Sequence, residues 1–137
     1  MSEASVGIVM IVDDNPTDRF VHKKLLEIHK IADSIIEFES GKLALQHLKS
    51  TEKASDFPDV ILLDIMMPEM DGFDFMVHFS NLKDRFPKVP IVFMLSSTDD
   101  EKDIQRVRNN PLVKKMLRKP FSPDSFKKIL NQNSDLR

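Results

Sequence analysis

The stretch Val60-Ile61-Leu62-Leu63-Asp64-Ile65-Met66-Met67-Pro68-Glu69-Met70-Asp71-Gly72 constrains the fold more than any other. Its opening apolar run, rich in branched side chains and preceded by Pro58-Asp59, reads as a strand buried on both faces. That strand ends on a carboxylate. Ligands of open parallel sheets sit outside the carboxyl ends of the strands, so Asp64 falls where such folds place their chemistry. Pro68 has no backbone donor and Gly72 tolerates positive φ, so the chain leaves the sheet through a defined turn.

The rest of the chain repeats this strand-then-helix rhythm. After a polar leader over residues 1 to 6, Ile8 to Val12 forms a second apolar run of strand length and ends in Asp13-Asp14-Asn15-Pro16. Asn15 is a candidate N-cap and Pro16 suits the first helical position. The helix that follows carries Phe20, Val21, Lys24, Leu25 and Ile28 as its mostly apolar face and fades near Lys30. Ile35 to Glu39 alternates as an edge strand does, and Ser40-Gly41 leads into a helix with Leu43, Ala44, Leu45 and Leu48 inward. Ser50 to Asp59 is a polar connection. A helix from about Phe73 to Leu82 follows the Asp64 strand, with Phe75, Met76 and Phe79 inward. Val89 to Leu95 is the fourth strand, ending in Ser96-Ser97-Thr98, and Asp99 to Asn109 a charged helix held by Ile104 and Val107. Leu112 to Leu117 runs into Arg118-Lys119-Pro120-Phe121, and Ser122 caps a last helix through Phe126, Ile129 and Leu130, before a polar tail over 132 to 137.

Five β-α units predict an α/β fold: a doubly wound, five-stranded parallel sheet of flavodoxin-like (βα)5 type, order 2-1-3-4-5, because parallel strands need crossovers and the crossovers carry the helices. At 137 residues the chain makes one domain. A net charge of -2 with 31% charged residues of mixed sign argues against a nucleic-acid groove or a polybasic membrane patch. The absence of cysteine excludes disulfides, thiolate metal sites and a cysteine nucleophile. With no long apolar run, a cytoplasmic location is the default expectation.

In that strand order Asp13, Asp14 and Asp64 converge on one crevice, and Ser96 and Lys119 approach it from the other side. Like charges this close raise one another's pKa unless a cation relieves them, and a hard divalent ion with oxygen ligands is the natural relief; Mg²⁺ suits best. A phosphate on Asp64 would need partners. A lysine about 4 Å away contributes on the order of 4 kcal/mol at an effective dielectric near 20, before desolvation is subtracted. Ser96 can donate to a phosphoryl oxygen through a freely rotating hydroxyl.

The set Asp13-Asp14, Asp64 followed by Met-Met-Pro-Glu-Met-Asp-Gly, a serine closing the fourth strand and Lys119-Pro120-Phe121 resembles the receiver domain of two-component response regulators over nearly the whole chain. The resemblance implies that Asp64 is the phosphoacceptor, attacking the phosphohistidine of a sensor histidine kinase or histidine phosphotransfer protein, or a small phosphodonor. It implies Asp14 as direct Mg²⁺ ligand, Asp13 as an acidic neighbour acting through water, and the backbone carbonyl of Met66 as a further ligand. Ser96 resembles the switch hydroxyl, with Ser97 as alternative, and Lys119 the phosphate-binding lysine, with a cis bond into Pro120. A downstream protein target, a monomer and a stand-alone, chemotaxis-type regulator without output domain complete the expectation. Met116 stands where the family often carries an aromatic ring, and Asn109-Asn110-Pro111-Leu112 replaces a Gly-Ala turn.

Taken singly, each feature has a plainer explanation: Asp13-Asp14 as a turn and helix cap, Ser96 as a loop hydroxyl, Lys119 as a solvated lysine. Their common position at carboxyl strand ends shifts the balance. A phosphohydrolase of the dehalogenase-like class would place a second acid two residues after the nucleophile, where this chain has Met66. A flavin-binding domain would cradle phosphate after the first strand, where Asp13-Asp14 repels it. A degenerate receiver that binds partners without phosphorylation is a further alternative. His22, His29, His47 and His78 sit in helical segments at no metal-ligand spacing and read as solvated or partly buried structural residues.

Overall fold

The computed structural model describes residues 5 to 132, so most of the leader and tail lies outside the described residues. Five strands, β1 (Val6–Val12), β2 (Ala32–Phe38), β3 (Val60–Asp64), β4 (Ile91–Ser96) and β5 (Val113–Arg118), alternate with five helices. The helices are α1 (Pro16–Ile28), α2 (Gly41–Ser50), α3 (Gly72–Leu82), α4 (Glu101–Arg108) and α5 (Pro123–Asn131). All strand pairs are parallel and the order is β2-β1-β3-β4-β5, as predicted. Val6 already belongs to β1, opposite Ala32, so the leader is shorter than expected. β4 starts at Ile91, after two prolines in Pro87-Lys88-Val89-Pro90, and leaves Val89 exposed.

Alternation along the central strands sorts the core into two layers. Met10, Val12, Ile61 and Leu63 face α2 and α3, meeting Leu48, Phe75 and Phe79. Val9, Ile11, Val60 and Leu62 face α1 and α5, meeting Leu26, Phe126 and Leu130. All five residues of β3 are buried, which makes it the middle of the molecule. β5 is an edge strand with a register shift: Val92 faces Val113 and Phe93 faces Lys115, so Lys114 is the extra residue of a bulge. Charged residues and a bulge on an edge discourage pairing with a further strand.

Two helix faces differ from expectation. On α1 the buried residues are His22 and Leu26, whereas Phe20 and Ile28 are 59% and 69% exposed, with Lys24 lying over the Phe20 ring. The apolar residues of this helix spread around it, and the side turned inward is the one that meets β1 and the residues after β5. Leu43 on α2 also faces outward.

The caps follow the sequence. Asn15 Oδ1 accepts from the N–H groups of Thr17 and Asp18, Ser40 Oγ from Leu43 and Ser122 Oγ from Ser125. Asp71 and Asp74 form a reciprocal capping box at α3. In the β3–α3 loop the left-handed backbone falls on Glu69, at φ 68, rather than on Gly72. Gly72 is required for space: a Cβ there would lie 2.7 Å from the Asp64 carbonyl oxygen and 3.0 Å from the Ile65 Cα.

Candidate functional site

β1 and β3 are hydrogen-bonded neighbours, and their carboxyl ends place Asp13 and Asp64 side by side. Both carboxylates are buried, while Asp14 is exposed. The chain turns out of β1 as Asp13 Oδ1 accepts from the Asn15 N–H at 2.9 Å, and Arg19 Nη1 donates to the Asp13 carbonyl at 2.7 Å. Asp64 Oδ1 accepts from the Met66 N–H at 3.3 Å, so the backbone of Met66 borders the cluster while its side chain points to solvent.

Lys119 reaches this cluster from the loop after β5. Its N–H donates to the carbonyl of Ser96 at 2.9 Å, and the peptide bond to Pro120 is cis. The ammonium lies 2.9 Å from Asp18 Oδ2, 3.0 Å from Asp13 Oδ2 and 3.1 Å from Asp64 Oδ1. Three carboxylates share one cation.

That imbalance shifts the protonation equilibria of Asp64 and Lys119. Burial, followed by the charge of Asp13, raises the Asp64 pKa to about 6, against the opposing pull of Lys119 and the Met66 N–H. Burial works against the charge on Lys119, yet hydrogen bonds to Asp18 and Asp13 and the charges of Asp64 and Asp13 outweigh it and hold the ammonium above the usual lysine range. Behind the lysine, the His22 ring is 1% exposed and stacks on Phe121 with centroids 5.4 Å apart. Burial and then Lys119 hold its pKa below the ordinary value. His22 is thus a buried neutral ring rather than a solvated one.

Asp13, Asp14 and Asp64 each offer an oxygen within 4.8 Å of the others. Asp13 Oδ2 is buried, and its one partner among the described residues is the Lys119 ammonium at 3.0 Å, which two other acids share. Clustered hard oxygens with too few positive charges among them fit a divalent metal ion. Ser96 is buried at the end of β4, but its hydroxyl is turned to the β4–α4 loop. It donates to the Thr98 carbonyl at 2.8 Å and accepts from the Thr98 N–H at 3.1 Å. Ser97 is exposed. Met116 packs against the α2–α3 layer and lines a groove between α4 and β5 with Ile104 and Val107.

Asp18 has no place in the sequence prediction. It is an acid in the first turn of α1, a position that favours the helix dipole and therefore carries no functional signal of its own. Its contact with a lysine 101 residues away is a product of the fold.

The chain matches the response regulator receiver domain family over residues 9–131 and belongs to it. The sensor histidine kinase CheAY of Helicobacter pylori is 27% identical over 94% of the chain, which spans 15% of that protein's length. The probable methanogenesis regulatory protein FilR2 of Methanothrix harundinacea is also 27% identical, over 91% of this chain and 79% of its own length. The crystal structure of a response regulator receiver protein from Dyadobacter fermentans superimposes with a TM-score of 0.79 at 34% identity, covering 92% of this chain and 96% of the other. Receiver domains are phosphoacceptor regulators of two-component signalling, and no described helix is long and apolar enough to cross a membrane.

Proposed function

We propose that the protein is a phosphorylation-controlled switch whose phosphoacceptor is Asp64. The observation that carries this reading is the buried Asp64 carboxylate at the end of the central strand, 3.1 Å from an ammonium that two other acids also hold. An oxygen of ionised Asp64 attacks the phosphorus of a phosphohistidine, the new O–P bond forms, and the P–N bond breaks with its electron pair going to the imidazole. Lys119 binds the phosphoryl oxygens as the acids around it exchange partners. Asp14, Asp13, Asp64 and the Met66 carbonyl would hold Mg²⁺, which supplies charge neutralisation at the phosphoryl group when bound.

Ser96 gives up its bond to the Thr98 carbonyl and donates to the phosphoryl group, which draws in the β4–α4 loop and alters the α4–β5 groove around Met116. The phosphodonor is a histidine kinase or histidine phosphotransfer protein, the readout is a downstream protein partner, and the switch acts as a monomer without contacting nucleic acid or membrane. The exposed Phe20 and Ile28 on α1, the helix that starts at the site, suit contact with such a partner.

Intact-mass spectrometry after incubation with a small acyl phosphate tests the chemistry. The expected result is a Mg²⁺-dependent gain of one phosphoryl group, absent in Asp64→Asn. Equal labelling of Asp64→Asn, or none of the folded wild type with any donor, would overturn the assignment.

A further inference from the structure

Of the three acids on Lys119, Asp13 and Asp64 belong to the cluster whose oxygens fit a metal ion, and Asp18 does not. A cation bound to that cluster would relieve Asp13 and Asp64 and leave Asp18 as the standing counter-ion of the lysine. Asp18 is also fixed in place: it lies in the first turn of α1, and its own N–H is held by the Asn15 cap at 3.1 Å. Its side chain is 34% exposed while that of Lys119 is 12% exposed, so the carboxylate stands at the mouth of the crevice with the ammonium behind it. An incoming phosphoryl group is anionic. It is repelled by this charge and competes with it for the same three ammonium protons.

We propose that Asp18 is a positioning residue that restrains Lys119 and slows phosphoryl uptake, a brake set into the switch. The inference rests on the phosphoacceptor reading of Asp64. It concerns a residue outside the acceptor, the acid pair, the hydroxyl and the lysine, and it fixes the sign of the effect. Removal of this charge frees the ammonium for the phosphoryl oxygens and lowers the repulsion felt by the donor.

The test compares wild type, Asp18→Asn, Asp18→Ala and Asp18→Glu for the initial rate of labelling by acetyl phosphate with saturating Mg²⁺, at low and at high salt. Asp18→Asn and Asp18→Ala are expected to label about 3- to 10-fold faster than wild type, with the gap narrowing at high salt, where screening weakens the removed repulsion. Asp18→Glu, which restores the charge, is expected to return towards the wild-type rate. A residue that merely supported the fold would lower the melting temperature in all three variants without this charge-ordered and salt-dependent pattern. Wild type labelled and Asp18→Asn equal or slower overturns the brake while leaving the phosphoacceptor reading intact. Failure of the folded wild type and variants alike to label overturns both.

Discussion

The two ends of the sheet use the same ingredients to opposite ends. At the amino end, Asp59 precedes β3: Oδ2 accepts from the Ile8 N–H at 2.9 Å, and Oδ1 pairs with Lys88 at 2.7 Å. Its backbone is tied to both neighbouring strands, through Asp59 N–H to the Ile8 carbonyl at 2.8 Å and Ile91 N–H to the Asp59 carbonyl at 3.0 Å. Gly7 makes room for it, since a Cβ there would lie 2.5 Å from Asp59 Oδ2. One carboxylate therefore has one ammonium and one backbone donor. At the carboxyl end, Asp13, Asp18 and Asp64 share Lys119, the one partner of Asp13 Oδ2 among the described residues. A satisfied pair fastens strands together. A cluster with more carboxylates than cations favours an incoming cation and is costly until one arrives.

The contrast breaks most sharply on Asp64. Its pKa is raised from 3.8 to about 6 in the native protein, so the unfolded chain ionises first as pH rises. Stability therefore falls across that window and stays reduced above it. Replacement of Asp64 by Asn in metal-free protein is expected to stabilise the fold by about 1 to 3 kcal/mol at pH 7 and by almost nothing near pH 4, read from urea unfolding at both pH values. No gain at pH 7 would mean that the carboxyl end is as well satisfied as the amino end.

Asp59→Ala is the opposite case and is expected to cost about 2 kcal/mol, mainly through the stranded Ile8 N–H. Lys88→Met should cost less, under about 1 kcal/mol, because the pair is partly exposed. A loss from Lys88→Met larger than that from Asp59→Ala would place the stabilisation in the ion pair rather than in the backbone bond. The smallest effect concerns His22. Its pKa is lowered in the fold, so the unfolded chain takes up a proton first as pH falls through 6.5, and stability declines in that direction. His22→Phe is expected to flatten the acid side of the stability profile below that pH, and an unchanged slope would refute the buried neutral ring.

Much of the fold was legible because its signals are local. Ile8 to Val12, Val60 to Leu63 and Leu112 to Leu117 are of strand length and end in polar or charged residues, so five strands and their order could be counted before any contact was known. The same logic put Asp13, Asp64, Ser96 and Lys119 at carboxyl strand ends, where the structure places them. Boundaries moved where pairing outweighed pattern, as at Val6 and Ala32, which join β1 and β2 through their register. The left-handed backbone of the β3–α3 loop falls on Glu69 rather than on the more permissive Gly72.

What the sequence determined by itself is the alternation of strands and helices and which side chains stand at their junctions, since both follow from periodicity and from the residues that end each apolar run. The tertiary structure alone decided which side of α1 turns inward, burying His22 and Leu26 while Phe20 and Ile28 meet solvent, because apolar residues lie around that helix and only packing against β1 and Phe121 breaks the tie. It alone set Asp18 against Lys119. An acid at a helix start is ambiguous in sequence, and the contact that gives it meaning joins residues 101 positions apart.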